Sequence, residues 1–323
     1  MNNQKIGIIG CGFVGATIAY TLVSSGMFSE IVLIDIDEKR AAGEAMDLAH
    51  CLPFISPMQI YAGDYKDLAD ASIVVITAGA NQKEGETRLD LACKNAKITA
   101  DIVERISAVN RDCILLMVAN PVDILTKVAL CTSHFPPSRV IGSGTVLDTA
   151  RLKFLVGERL GVDSRNVHTF IIGEHGDSEL AVWSSANVSG LDMKDYCGVS
   201  DGKCRTYGDI TGMFDYVKNS AYEIIRGKGA TYYAIAQAVA RIISSIMKDQ
   251  HTIMPVSTLV DGHYGLEGLC ISVPAIVGRS GVESVLDIPL NDDEMKRLHM
   301  SAAALEEVWN SLGISDSALE LTI

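Results

Sequence analysis

The chain is short of positive charge. Its 323 residues carry 27 Lys and Arg against 40 Asp and Glu, a net charge of −13. That balance argues against non-specific nucleic-acid binding and against anionic membrane surfaces, both of which draw on basic patches. No apolar run approaches the roughly 18 residues that a membrane span needs. A basic leader with a long apolar stretch is missing too, since an apolar strand is reached by Ile6, so no signal peptide is expected. The eight cysteines, at 11, 51, 93, 113, 131, 197, 204 and 270, form no CxxC and no Cys/His cluster with metal spacing. Scattered among apolar neighbours, they read as buried reduced thiols of a cytoplasmic protein without a metal site. There is no internal repeat and no low-complexity tract. What remains is a chain long enough for one or two domains, with 48% hydrophobic and 21% charged residues, ordinary for a globular fold.

Strand-like and helix-like segments alternate through the first half. Apolar runs at Lys5 to Ile9, Ile31 to Ile34, Ser72 to Thr77, Cys113 to Val118 and Val140-Ile141 read as strands. Helical spacing fills Ala16 to Ser24 (ended by Gly26), Glu38 to His50, Arg88 to Asn110 and Asp123 to about Cys131. A connecting segment holds Pro53 and Pro57. Continuous apolar strands alternating with helices predict an α/β fold, a doubly wound parallel sheet covered on both faces. The pattern changes near Gly142 to Thr145. This divides the chain into a dinucleotide-binding Rossmann domain, 1–143, and a mixed α+β domain, 144–323. In the second part, helices are predicted at Asp148 to Leu160, Asp215 to Ile225, Thr231 to Lys248 and Asn291 to Leu312. Strands are expected around Thr169 and Trp183, and antiparallel ones near 255–260 and 268–278.

Gly10-Cys11-Gly12-Phe13-Val14-Gly15 follows the first strand and opens the first helix, with Asp35 twenty residues beyond Gly15. A lone GxGxxG is weak evidence; in this context it is a dinucleotide fingerprint. Gly10 permits the tight turn, Gly12 lets the backbone approach a pyrophosphate at the helix N-terminus, and Gly15 allows close helix–strand packing. Asp35 accepts ribose hydroxyls and repels a 2′-phosphate, so NAD is preferred over NADP. Asp37 reads as a solvated turn residue, and Arg40 either lies near the adenine or faces solvent.

The second half carries Gly173-Glu174-His175-Gly176-Asp177-Ser178-Glu179. A histidine titrates nearest neutrality and suits the proton half of a carbonyl/alcohol interconversion. Taken alone, His175 is as well explained as a structural residue. A carboxylate partner would fix its tautomer and stabilise the imidazolium. Asp148 is the candidate, in Leu147-Asp148-Thr149-Ala150-Arg151, where Asp148 and Arg151 share a helix face. They form either a surface ion pair or a divided unit, with Asp148 orienting His175 and Arg151 gripping a substrate carboxylate bidentately. The loop Ala78-Gly79-Ala80-Asn81-Gln82-Lys83-Glu84-Gly85-Glu86-Thr87 leads to Arg88. It reads as a lid that swings Arg88 in to polarise a carbonyl, or else as a mobile surface loop.

These motifs together, with Val118-Ala119-Asn120-Pro121-Val122-Asp123, resemble the L-lactate/malate dehydrogenase family over essentially the whole chain. The resemblance implies reversible hydride transfer between NADH and a 2-oxo acid. His175 would be the proton donor and acceptor, Asp148 its partner, Arg151 the carboxylate clamp and Arg88 the carbonyl polariser. Asn120 would touch the substrate oxygen and Thr231 would line the pocket. Val14, Gly79, Ala80, Val118, Asn120, Ser143 and Ile235 would join Gly10, Gly12, Gly15, Asp35 and Arg40 around the cofactor. The family separates its substrates chiefly at the position of Gln82, where malate enzymes carry Arg. A second carboxylate facing neutral Gln82 would lack a counter-charge, so pyruvate and L-lactate are favoured over oxaloacetate and malate. Lys83 complicates this if the loop rotates, and branched-chain 2-hydroxy acids stay open. A non-catalytic NAD-binding protein on the same fold is the rival from another class.

Some bacterial members of the family are activated by fructose 1,6-bisphosphate, held between subunits by an Arg and a His. The matching residues here are Lys153 and His168. Lysine binds phosphate but loses the bidentate geometry of arginine, so an ordinary subunit surface is the alternative. The resemblance also implies a homotetramer.

Overall fold

The computed structural model describes residues 2–81, 85, 87–199 and 207–314. The first half runs β1 (Asn2–Ile9), α1 (Phe13–Ser25), β2 (Glu30–Ile34), α2 (Glu38–Ala49), β3 (Gln59–Ala62), β4 (Ala71–Ile76), α3 (Arg88–Val109), β5 (Ile114–Met117), α4 (Val122–Ser133) and β6 (Val140–Gly142). These six strands pair in parallel in the order β3-β2-β1-β4-β5-β6. The order reverses between β1 and β4, which opens a crevice at their carboxyl ends.

The strands are apolar throughout because both faces are covered. In β4, Ile73 and Val75 pack against one hydrophobic cluster, Val74 and Ile76 against another. Side chains from α1 and α2 fill the first cluster, those from α3 and α4 the second. Helix ends follow local chemistry. Gly26 stops α1 in the left-handed region at φ 64°, and a reciprocal cap between Thr87 and Asp90 starts α3. The strand β3 lies in what reads as a connecting segment, since it is a short edge strand with no buried residue and leaves little apolar signature.

The second half runs α5 (Val146–Leu160), β7 (Val167–His168), β8 (Ile171–Ile172), β9 (Leu180–Ala181), β10 (Asn187–Val188), β11 (Leu191–Asp192), α6 (Met193–Val199), α7 (Tyr207–Thr211), α8 (Met213–Lys228), α9 (Tyr233–Lys248), β12 (Thr252–Asp261), β13 (Glu267–Gly278), β14 (Gly281–Val285) and α10 (Asp292–Leu312). Three of its strands extend the first sheet. Ser257 of β12 pairs antiparallel with Gly142 of β6, and β13 and β14 follow as hairpins. The sheet is therefore mixed and nine strands wide. Residues of α9 and α10 also enter the two clusters that flank it, so the halves interlock. A third cluster lies under α5 and α8.

Some local expectations shift. The strand expected at Trp183 is β9, ending at Ala181; the Trp183 N–H instead donates to the buried Glu294 carboxylate at 2.8 Å. The helix expected from Thr231 starts at Tyr233, which leaves Thr231 in the loop before it. Cysteines 11, 113, 131 and 270 are buried thiols outside any disulfide, as expected, but Cys51 and Cys93 are only half-buried and Cys197 is disulfide-bonded. No helix among the described residues is long and apolar enough to cross a membrane.

Candidate active site

The glycine turn closes β1 against β4. Gly10 holds φ 97°, and its carbonyl accepts the Thr77 hydroxyl at 2.8 Å. A Cβ on Gly15 would collide with that same carbonyl oxygen, whereas one on Gly12 would meet nothing within 4 Å. Close packing thus dictates Gly15, and open space lies over Gly12. Helix α1 begins after Gly12 without a side-chain cap, so its first N–H groups are left for an anion. Asp35, just past β2, accepts the Cys11 N–H through Oδ2 at 2.6 Å and the Asp37 N–H through Oδ1 at 2.9 Å. Its carboxylate therefore stands beside the turn. Asp37, expected as a solvated turn residue, caps α2 by accepting the Arg40 N–H. Val14 is half-buried against the core. An open glycine, free helix N–H groups and an adjacent carboxylate fit a dinucleotide.

The far wall of the crevice is fastened by one side chain. Asn95 of α3, 2% exposed, accepts the Ala80 N–H at 2.8 Å and donates to the carbonyl oxygens of Asn120 at 2.8 Å and Ala80 at 3.3 Å. Gly79 lies against the same amide. The Asn120-Pro121 peptide is cis. Val118 and Ser143 are buried beyond strand ends, their N–H groups donating to Ile76 and Met117 at 2.9 and 2.8 Å. Thr231 is half-buried in the loop before α9, and Ile235 packs from that helix's first turn onto the core. Tyr232, between them in sequence, stacks on Phe13 of the glycine turn at 5.4 Å.

Asp148, Arg151 and His175 come together, although only the first two are near in sequence. Asp148 and Arg151 lie one turn apart on α5. Asp148 is buried, its side chain 4% exposed; Oδ2 is 2.6 Å from His175 Nδ1, and Oδ1 is 2.8 Å from Arg151. The ion pair is therefore an interior one, not the surface pair that was the alternative reading. Burial works against the imidazolium of His175, but the charge and hydrogen bond of Asp148 outweigh it, helped by Glu179 and Asp123. The result raises His175 from 6.5 to about 9. Burial also opposes the Asp148 carboxylate, yet His175 and Arg151 hold it below its usual range. Glu179 adds a third group. It is buried, and burial together with the Asp148 charge pushes it up from 4.5 to about 8. One ligand atom each of Asp148, His175 and Glu179 lies within 4.8 Å of the others. With Nδ1 held by Asp148, the ring is oriented to carry a proton on Nε2. The arrangement can donate a proton and bind an anion beside it.

Not every candidate is placed here. Gln82 and Lys83 lie outside the described residues, and Arg88 is placed only as the first residue of α3. Lys153 is half-buried on α5 and His168 exposed on β7, with no hydrogen bond or ion pair between them among the described residues. Several contributors are assigned no role by the sequence. Asp123 accepts the His175 N–H at 2.8 Å, Ser301 accepts the Glu174 N–H at 2.8 Å, and Asn95 spans the crevice.

Residues 4–142 match the lactate/malate dehydrogenase NAD binding domain, and residues 145–312 the alpha/beta C-terminal domain of the same enzymes. The chain is 53% identical over 318 residues to the L-lactate dehydrogenase of Acetivibrio thermocellus, covering 97% of this chain and all of that one. It is 49% identical over 311 residues to L-lactate dehydrogenase 1 of Clostridium acetobutylicum, covering 96% and 99%. Among solved structures, a lactate dehydrogenase from a Medee basin deep-sea metagenome library superposes with a TM-score of 0.94 at 44% identity, covering 97% of this chain and all of that one. The minor L-lactate dehydrogenase of Enterococcus mundtii, in its ligand-bound form, gives 0.92 at 41%, covering 96% and 99%.

Proposed function

Because this chain belongs to the lactate/malate dehydrogenase family, we propose that it is an NAD-dependent oxidoreductase interconverting pyruvate and L-lactate. The observation that carries this reading is the buried Asp148–His175 pair with Arg151 on the same carboxylate, in a chain carrying the dinucleotide turn. The near-full-length likeness to L-lactate dehydrogenases supports it.

Bound NADH supplies the hydride that reduces the carbonyl carbon. Gly10, Gly12, Val14 and Gly15 form the turn that receives its pyrophosphate, and Asp35 receives the ribose, with Arg40 nearby. Gly79, Ala80, Val118, Ser143 and Ile235 surround the remainder. His175, protonated at neutral pH because its pKa is about 9, gives the Nε2 proton to the substrate oxygen as negative charge develops there. Asp148 stabilises the imidazolium beforehand and holds the tautomer. Arg151 keeps one nitrogen on Asp148 and offers its remaining N–H groups to the substrate carboxylate, where two parallel bonds fix orientation. Arg88 polarises the carbonyl, Asn120 touches its oxygen, and Thr231 lines the pocket. Exclusion of water strengthens each of these contacts. In the reverse direction neutral His175 accepts the proton.

Gln82 makes pyruvate the preferred oxo acid over oxaloacetate, because a second carboxylate would meet no cation there. The domain division is set at 143/144. The assembly is a homotetramer, with fructose 1,6-bisphosphate as effector at Lys153 and His168. Burial holds the Lys153 ammonium below its ordinary pKa, so a phosphate beside it would restore the charge.

The test follows NADH oxidation with pyruvate, oxaloacetate and 2-ketoisocaproate, each with and without fructose 1,6-bisphosphate. Pyruvate should turn over fastest. Preference for oxaloacetate or 2-ketoisocaproate would replace the substrate, and no turnover with any of the three would sink the reading.

A further inference from the structure

Three consecutive backbone N–H groups deliver His175 to the site, and each is held by a different element. Gly173 donates to the Ser272 carbonyl of β13 at 2.9 Å, Glu174 to the Ser301 hydroxyl of α10 at 2.8 Å, and His175 to Asp123 Oδ2 of α4 at 2.8 Å. The first two acceptors are neutral. The third is a carboxyl group only 2% exposed, and that burial raises its pKa above the usual carboxylate range.

Its second oxygen, Oδ1, accepts the Ser272 hydroxyl at 3.1 Å. Ser272 also donates its own N–H to the Gly173 carbonyl at 3.2 Å. Asp123, His175, Gly173 and Ser272 thus close a hydrogen-bonded ring behind the imidazole. A buried carboxyl group is a costly way to accept two hydrogen bonds, and stability alone does not call for one. Nor does the residue serve its own helix. Asp123 lies in the first turn of α4, where an acid favours the dipole, yet the cap residue Pro121 receives no side-chain bond and the carboxylate reaches across to the second half of the chain. Immediately before it, the Asn120 carbonyl is tied to Asn95. The residue that anchors His175 therefore sits in the helix turn that directly follows the Asn120 loop.

We propose that Asp123 is a positioning residue for proton transfer, fixing the His175 backbone so that Nδ1 stays on Asp148 and Nε2 meets the substrate oxygen. This rests on the dehydrogenase reading above. The groups that face His175 are Asp148 from α5, Asp123 from α4 and Glu179 just before β9, with Arg151 of α5 acting on Asp148 and Glu179 and Lys218 of α8 on Glu179. Asp123 is the one among them bound to the histidine's main chain.

The experiment compares Asp123→Ala, Asp123→Asn and Ser272→Ala with the wild-type chain, measuring NADH affinity, kcat for pyruvate and the pH profile of kcat/KM. Asp123→Ala should lower kcat by ~10–100-fold, the scale of an ångström's misplacement, with NADH affinity unchanged. Asp123→Asn keeps an acceptor for the His175 N–H and should recover most of kcat. If Asp123→Ala does not fold, Ser272→Ala, which frees one carboxylate oxygen, should still lower kcat about threefold to tenfold without weakening NADH. Wild-type kcat in a folded Asp123→Ala or in Ser272→Ala overturns the proposal, as does an Asp123→Asn variant no better than the alanine. A wild-type chain inactive on pyruvate would instead overturn the reading on which it rests.

Discussion

His175 Nδ1 and Asp148 Oδ2 are 2.6 Å apart, with the carboxylate buried and the ring side chain 26% exposed. One end of the imidazole is therefore committed to the protein and the other to the site. The pairing sets the pH window of the reaction. Pyruvate reduction needs the imidazolium, so kcat/KM should hold through neutrality and fall as pH rises through about 9. L-lactate oxidation needs the neutral ring and should gain over the same interval.

Asp148→Asn removes the charge that offsets burial. The His175 pKa then returns towards 6.5 or below, and the alkaline limb of pyruvate reduction moves down by two units or more, as the ~9 to 6.5 difference requires. Loss of the oriented acid should also lower kcat at neutral pH by ~10²–10⁴-fold. Steady-state rates across the pH range check both effects. A limb that stays near 9 would disprove the role of Asp148.

Glu179 makes a finer prediction. Its carboxyl is neutral below about 8 and ionises above it, where the new charge favours the imidazolium. Glu179→Gln should leave kcat/KM near wild type at pH 6–7 and bring the alkaline limb to lower pH. The acidic side is insensitive because the wild-type group is already protonated there. An identical profile would show that Glu179 does not reach the histidine's field.

Much of this site is legible in sequence because its parts are local. Asp148 and Arg151 share one helical turn, the glycine turn and Asp35 span one strand–helix–strand unit, and His175 lies between glycines. The distance from His175 to Asp148 is not local, but both side chains belong to recognisable segments. Asp123 and His175 are 52 residues apart, and Glu174 and Ser301 127 apart; nothing in either segment names the other. Those contacts come from the register of β13 against the Gly173 segment and from the docking of α10. The parallel sheet follows from continuous apolar strands, whereas its extension by β12–β14 depends on the single pairing of Gly142 with Ser257 across the two halves.

Gly15 is dictated by the Gly10 carbonyl. Gly15→Ala must push α1 away from β1, at a cost of about 1–3 kcal/mol, the range of overpacking. Thermal melting should show the loss, and NADH should bind more weakly because the helix N-terminus moves with α1. Unchanged melting and unchanged NADH affinity together would contradict the close packing.

Substrate choice should respond to Gln82. Gln82→Arg supplies a cation for a second carboxylate and should raise kcat/KM for oxaloacetate relative to pyruvate by ~10–100-fold, equivalent to roughly 1.4–2.8 kcal/mol. The ratio of the two initial rates at low substrate reads this directly. A pyruvate preference left intact would remove Gln82 from the substrate pocket.

Asn95 ties Ala80 to the Asn120 loop, and the amide uses both its ends to do so. Asn95→Ala leaves the Ala80 N–H and the Asn120 carbonyl without these partners, so stability should fall by about 1–3 kcal/mol if water does not replace the amide. The functional effect should exceed the structural one. Arg88 heads the same helix two turns earlier, and its approach to substrate depends on how that helix is held against the crevice. Asn95→Asp is the informative companion, because it keeps the acceptor for Ala80 N–H but sets a carboxylate oxygen against the Asn120 carbonyl. Pyruvate KM should rise and kcat fall in both variants, with NADH affinity retained because the glycine turn is untouched. Equal losses of NADH and pyruvate affinity would mean that Asn95 supports the fold as a whole and has no special hold on the substrate side of the crevice.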